Sequence, residues 1–377
     1  MESCKLSVVF PTFNRPDEVK NTLGLLSKNL SIPYEVFILD NSPEPFDFEL
    51  SENEHYHFVG KNLGTASRNI GIKMANAPYT LLLDDDSHPL PGAVETAIAE
   101  LENASPEIGG ITSKVERPDG GLESPPLLPT AFHGCGVLFR TEILKSFDGF
   151  YPEDFCFYGE EYWSTLKFYR DGFRFKYLDA FRVCHRMSGQ GRDKAKILYY
   201  LTLNNRRTWK QFVPESFLAQ ADYDTLRRYE LICHKEGVEA SFEKAMREEI
   251  SVTDGKDKMS EKDFRAFSLL DAFKDLLGSG KLDKTKPVLF CGCGKFPVLW
   301  AEFLEQNGIP EVLISDFNSG LIGQDYGKYR ILSPDEALGK IKNGFQAVYG
   351  HSSRFDSANW VDFLKAGDIN KLLSINL

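Results

Sequence analysis

The sequence predicts an α/β protein with two sheet-bearing domains joined by helices. Three observations predict it. Short apolar runs alternate with helix-periodic segments over the first hundred residues, a polar helical stretch runs from about 194 to 285, and a second strand–turn–helix series opens at 286. A chain of 377 residues is long enough for two domains and a connector. The expected boundaries are 1–212, 213–285 and 286–377.

The first strand is LSVVF (6–10), a continuous apolar run stopped by PTFNRP. Asp17 to Leu30 carries Val19, Leu23, Leu26 and Leu30 at helical spacing. YEVFILD (34–40) and HFVG (57–60) read as strands, TASRNIGIKMANA as a helix, and YTLLLD (79–84) as the fourth strand. Such alternation makes βαβ units around a parallel sheet, whose ligands collect at the carboxyl ends of the strands. Asp40 and Asp84 each close an apolar run at that edge. Gly92 to Asn103 reads as a helix, 117–129 as a long Gly/Pro-rich loop, HGCGVLFRTEIL (133–144) as a strand turning into a helix, and EEYWSTLKFYRDG as a helix ending at Gly172. FKYLDAFRVCHR returns as strands. In the last part, KPVLFCGCGKF is a strand into a Gly turn and PVLWAEFLEQNG an amphipathic helix. PEVLISD, KYRIL, QAVYG and KLLSINL add short strands of a small Rossmann-like domain.

Composition narrows the function classes. Hydrophobic residues make up 42% and charged residues 26%, which fits a soluble globular chain and excludes disorder. The formal net charge of -11 argues against general affinity for nucleic acid or an anionic membrane. Seven cysteines at irregular spacing predict reduced cytosolic thiols. Cys291-Gly-Cys293 is a close pair without the second pair that a zinc site of that type needs. No apolar run reaches the ~18 residues of a membrane span, and MESCKLSVVFPTFN lacks the basic and apolar regions of a secretory leader. The expectation is a cytoplasmic protein. LNNRRTWKQFVP (203–214) leaves peripheral membrane contact as an alternative to the preferred reading, a packed helix with solvated arginines.

The stretch YTLLLDDDSHPLPG poses the chemical question. Three adjacent carboxylates repel one another by ~1 kcal/mol per pair even in water-like dielectric, so something positive offsets them. Hard oxygen ligands at a strand end suit a divalent metal. Neighbouring side chains of an extended strand point to opposite faces, so Asp84 and Asp86 share a side and Asp85 faces away, free to support the turn.

From Leu6 to Pro214 the chain resembles the family 2 glycosyltransferases of GT-A fold. SVVFPTFNRPDEVKNTL is similar to their opening strand and P-T-x-N-R turn, FILDNS to the second strand with its aspartate, and KNLGTASRNIGIKMA to the N-x-G…R-N-x-G helix. YTLLLDDDS looks like the D-x-D strand, GVLFRTEILKSFDGF like the acceptor-side segment, and FYGEEYW like the G-E-D segment. The resemblance implies an inverting transfer of a sugar from a nucleotide-diphospho-sugar, UDP- or dTDP-linked, to a hydroxyl of a glycan, polysaccharide or glycoconjugate.

It also implies roles. Pro11, Thr12, Asn14, Arg15 and Asp40 would frame base and ribose, with Gly64, Arg68, Asp84 and Asp85 also on the nucleotide-sugar. Asp86 and His185 would hold Mn2+ or Mg2+ against the diphosphate. Glu160 and Glu161 stand where the family has Glu-Asp, a departure that makes the base Glu161, one methylene longer, with Glu160 as a partner of the acceptor hydroxyl, or the roles exchanged. His133 and Trp163 would touch the acceptor. The SGQGR segment (188–192) reads as a mobile loop that closes over the diphosphate with Arg186 or Arg192 as counter-charge.

Two rival readings stand beside this one. One is a GT-A fold that has lost catalysis and acts as a scaffold. The other is a nicotinamide-binding oxidoreductase function in the last domain, because Gly292, Gly294 and Asp316 partly match a dinucleotide fingerprint although Pro297 takes the third glycine's place. The preferred reading of that domain is accessory: docking partners, self-association or positioning the acceptor.

Overall fold

A computed structural model describes residues 4–123, 128–155, 157–187, 193–251, 257–350 and 357–374. The SGQGR segment lies outside them. The chain forms two compact units, one of residues 1–123 and 131–192, the other of 124–130 and 193–377.

The first unit runs β1 (Leu6–Thr12), α1 (Pro16–Asn29), β2 (Tyr34–Asp40), β3 (Glu54–Phe58), α2 (Arg68–Met74), β4 (Tyr79–Leu82), β5 (Ser87–Pro89), α3 (Ala93–Asn103), β6 (Ile108–Glu116), β7 (Val137–Arg140), α4 (Thr141–Ser146), α5 (Glu160–Arg170) and β8 (Arg174–His185). Its sheet has the order β3-β2-β1-β4-β7-β6-β8-β5. Strands β3, β2, β1 and β4 are parallel, as expected, but β7 is antiparallel to β4 and to β6, and β5 is antiparallel to β8. The sheet is therefore mixed rather than all parallel.

Both faces of the sheet are covered, which is why β1 and β2 read as unbroken apolar runs. Leu6, Val8, Phe10, Val36 and Ile38 meet Val19, Leu23 and Leu26 of α1 and Val94, Ala97 and Leu101 of α3. Val9, Phe37 and Leu39 face the opposite core with Ile72, Phe139, Ile143 and Phe168.

Two strands differ from the sequence expectation. β6 carries Gly109 and Gly110 in IGGITSKVE, which hides its strand character. A Cβ would meet the Phe168 ring at 2.5 Å in the first and the Phe175 ring at 2.9 Å in the second, so aromatic rings occupy the space those residues lack. β5 is only Ser-His-Pro, yet Ser87 pairs with His185 and His88 with Cys184.

The second unit begins with helices α6 (Lys194–Phe212), α7 (Glu215–Glu236), α8 (Glu239–Arg247), α9 (Glu261–Phe267) and α10 (Leu270–Gly278). It continues with β9 (Val288–Cys291), α11 (Pro297–Gln306), β10 (Val312–Ser315), β11 (Asp325–Tyr326), β12 (Tyr329–Leu332), α12 (Pro334–Lys342), β13 (Gln346–Tyr349) and α13 (Ser357–Ala366). Sheet order is β11-β12-β10-β9-β13, with β13, β9, β10 and β12 parallel. The strand expected at KLLSINL is, among the described residues, a single bridge between Leu373 and Val348. Trp209 of α6 is fully buried and donates its indole N–H to Thr225 at 2.9 Å. Arg206 donates to the Ala245 carbonyl instead of standing in solvent. No helix among the described residues is long and apolar enough to cross a membrane.

The crevice where a dinucleotide would lie is taken up by the unit's own groups. Asp224 of α7 accepts the backbone N–H groups of Val298 and Leu299 at 3.1 Å each, so its carboxylate occupies the α11 N-terminus where a pyrophosphate would sit. Asp316 accepts the N–H groups of Cys293 and Asn318 at 2.7 Å each. A Cβ on Gly294 would lie 2.3 Å from the Gly350 carbonyl and 2.5 Å from Trp300, so this glycine serves packing inside the unit. The nicotinamide reading loses its site to these contacts. Truncating the capping carboxylate, Asp224→Ala, is expected to lower stability by about 1–3 kcal/mol, because two buried N–H groups lose their acceptor. Urea unfolding of the full chain measures this, and an unchanged midpoint would remove the capping role.

Candidate active site

The site forms at the carboxyl ends of β1 and β4. β4 ends at Leu82, and Asp84 to Ser87 is a turn rather than continuing strand. Ser87 closes it, its N–H reaching the Asp84 carbonyl at 3.1 Å and its hydroxyl accepting the Asp84 N–H at 2.9 Å. The shared side of Asp84 and Asp86 therefore comes from a turn, not from strand alternation.

Two arginines between them meet all three carboxylates. Arg68 is 1% exposed and meets Asp84 Oδ1 at 2.5 Å while donating to the carbonyls of Leu83 (2.7 Å) and Gly134 (3.2 Å). Arg15 spans the other two, with Nη1 on Asp85 Oδ1 at 2.7 Å and Nη2 on Asp86 Oδ2 at 2.9 Å. Asp85 points inward, as the alternation argument expects. Its Oδ2 accepts the Thr12 hydroxyl at 2.8 Å and its carbonyl accepts from Thr22 and Arg186. Burial, opposed by Arg15 and Thr12, pushes its carboxyl up to about 7.

His185 arrives through the pairing of β5 with β8, which sets it opposite Ser87. Its Nε2 lies 3.1 Å from Asp86 Oδ1 and its Nδ1 2.6 Å from Glu123 Oε2. Burial works against a charged ring, yet Asp86, Cys135 and Glu123 outweigh it and push His185 up. Asp84, Asp86 and His185 each offer a ligand atom within 4.8 Å of the others. Two carboxylate oxygens and one imidazole nitrogen, with the Asp84 side chain 36% exposed, fit a divalent ion.

Glu160 and Glu161 open α5 after two left-handed residues, Tyr158 and Gly159. Glu160 is buried beside Arg68, and its Oε2 has no hydrogen-bond partner among the described residues. Desolvation, then Glu161, hold its carboxyl well above the usual carboxylate range. Glu161 is less buried and faces the site. A Cβ on Gly134 would lie 3.6 Å from Glu161 Oε1 and 3.7 Å from Arg68 Nη1. Burial raises Glu161 as well, with His133 pulling the other way.

The remaining predicted residues divide. Asp40 is fully buried, accepting the Ser42 N–H at 2.9 Å and the Tyr56 hydroxyl at 2.5 Å. Asn14 has φ 53° and donates its N–H to Ser42 at 2.8 Å, while Pro11 is part of β1. Gly64 starts a short 3-10 turn, and its carbonyl accepts from Asn41 at 3.4 Å. Trp163 packs edge-on against Phe155, ring centres 5.1 Å apart. Arg186 locks α1 to the turn through Glu18 at 2.9 Å and Thr22 at 2.6 Å. His133 sits beside the site, 3.8 Å from Glu123 and 2.8 Å from Cys135. Sequence reasoning missed Glu123 and Cys135. Glu123 lies 62 residues before His185 with no motif linking them, and Cys135 was legible only as the third letter of HGCG.

Residues 7–126 match the family model described as Glycosyl transferase family 2. An "Uncharacterized glycosyltransferase YwdF" of Bacillus subtilis is 32% identical over 105 residues, 26% of this chain and 39% of that protein. An "Uncharacterized glycosyltransferase" of Haemophilus influenzae is 33% identical over 101 residues, 26% of this chain and 34% of that protein. The alignments thus span well under half of those relatives' lengths. A solved structure, GalNAc-T7 with UDP, GalNAc and Mn2+, superposes with a TM-score of 0.49 at 13% identity, covering 72% of this chain and 58% of that one. Over residues 7–126 the chain is thus similar in sequence to family 2 glycosyltransferases.

Glu160 provides a test of the site's electrostatics. A carboxyl whose folded-state pKa is raised contributes stability that is present below its unfolded value and is lost as pH rises through the folded value. The wild-type melting temperature should therefore fall between about pH 5 and pH 8 more steeply than that of Glu160→Gln. Parallel slopes in thermal melts would show that Glu160 is ionised in the folded protein.

Proposed function

We propose that the N-terminal unit transfers a sugar, with inversion, from a nucleotide-diphospho-sugar to an acceptor hydroxyl, with Glu161 as general base. The observation that carries this reading is the convergence of Asp84, Asp86 and His185 at the sheet edge, with Glu161 across Gly134 from Arg68. The family match supports the reaction class.

In this reading Glu161 removes the acceptor proton as the acceptor oxygen bonds to the anomeric carbon. The bond from that carbon to the diphosphate oxygen breaks, and the diphosphate leaves with the electron pair. A carboxylate whose affinity for protons is raised by burial is a stronger base near neutral pH. Asp84, Asp86 and His185 would hold a divalent ion, Mn2+ or Mg2+, which supplies positive charge to the departing diphosphate. Arg68 keeps Asp84 aimed, and Arg15 with Asp85 holds the PTFNR turn against the acidic turn. The partners are a UDP- or dTDP-sugar and a carbohydrate or glycoconjugate acceptor. The second unit takes an accessory role, as a surface for partners, self-association or acceptor placement. A cytoplasmic location suits the free cysteines.

A thermal-shift screen of nucleotide-sugars with Mn2+ tests donor and metal together. The right donor is expected to stabilise the wild type and not Asp86→Ala. Equal stabilisation of both would overturn the metal assignment, and no donor turnover across a broad panel would favour the scaffold reading. Glu161→Gln is expected to lower transfer by ~10²–10⁴-fold while the donor-induced shift persists. Retained transfer in single-turnover assays would move the base elsewhere.

A further inference from the structure

Beside the acidic turn stands a second cluster with different chemistry. Cys135, His133 and Glu123 each present a ligand atom, all within 4.8 Å of one another. Cys135 is fully buried, and its Sγ lies 2.8 Å from His133 Nδ1. Glu123 Oε1 approaches His133 Nε2 at 3.8 Å. The side chains of Glu123 and His133 each keep 18% exposure, so the cluster is reachable from solvent.

We propose that Glu123, His133 and Cys135 form a second metal site, distinct from the Asp84–Asp86–His185 set and selective for a zinc-class ion. Ligand type separates the two. A thiolate with an imidazole and a carboxylate favours zinc or cobalt, whereas two carboxylates and an imidazole suit manganese or magnesium. Charge balance supports the site. Thiolate and carboxylate carry two negative charges, and a divalent cation neutralises them in a place where a lone buried thiolate would be costly. Binding displaces the thiol proton to solvent. Three protein ligands leave the fourth tetrahedral position open. Glu123 also meets His185 Nδ1 at 2.6 Å through its other oxygen, so a ligand of this site would orient a ligand of the other. The site does not depend on the transferase reading.

Cobalt substitution of the full chain tests it, because only a thiolate ligand gives a sulfur-to-cobalt charge-transfer band in the near ultraviolet. The wild type is expected to show the band and to retain stoichiometric zinc after dialysis. Asp86→Ala should keep the band. Cys135→Ser should abolish it, with circular dichroism confirming the fold. His133→Asn and Glu123→Gln should each weaken zinc binding by at least ~10-fold, measured by competition with a chromogenic chelator. Absence of the band in the wild type would overturn the proposal and leave a hydrogen-bonded thiol–imidazole–carboxylate chain. Persistence of the band in Cys135→Ser would overturn it too, assigning sulfur ligation to another cysteine.

Discussion

The sheet edge that carries the candidate site depends on the neutralisation of three consecutive carboxylates by cations drawn from distant parts of the chain. Like charges about 4 Å apart repel by about 4 kcal/mol at the effective dielectric of a protein surface. Arg68 from α2 takes Asp84, Arg15 from the loop after β1 takes Asp85 and Asp86 together, and His185 at the end of β8 adds to Asp86. These contacts also fix the architecture of the edge. Arg15 ties the β1 loop to the turn, and the β5–β8 pairing that delivers His185 closes the far side of the sheet. Removing Arg15 or Arg68 would leave a buried or half-buried charge without its counterpart, a more costly state than never having had the pair.

The same arrangement separates three roles that the sequence places side by side. Asp85 is tied to Thr12 and Arg15, while Asp84 and Asp86 stand together with His185, Asp84 being the more exposed of the pair. Glu160 and Glu161 divide in a similar way. One is buried against Arg68 with an oxygen unpartnered among the described residues, and the other faces Gly134 and His133. Adjacent acids meet different partners because the backbone direction at a turn or helix start sends their side chains toward different neighbours.

The second unit shows how a familiar strand–glycine–helix pattern can be closed rather than open. The N–H groups that would greet a phosphate are capped by Asp224, and Asp316 folds back on the chain. A fingerprint of glycines records only close backbone approach. Whether a ligand or Trp300 makes that approach depends on which helices pack over the sheet.

By itself the sequence determined the α/β class, most of the strand and helix positions, the polar helical stretch between the sheets and the acidic turn, because those follow from periodicity and turn chemistry within short windows. Strand β6 escaped, since its glycines make room for rings from α5 and β8 that no local window contains. Only tertiary structure decided the mixed sheet, the inward task of Asp85, the pairing of Arg68 with Asp84 and the neighbourhood of Glu123, His133 and Cys135. The physical reason is distance along the chain. Most of these contacts join residues 16 to 101 positions apart, and they exist only once sheet order and register bring remote segments to one edge.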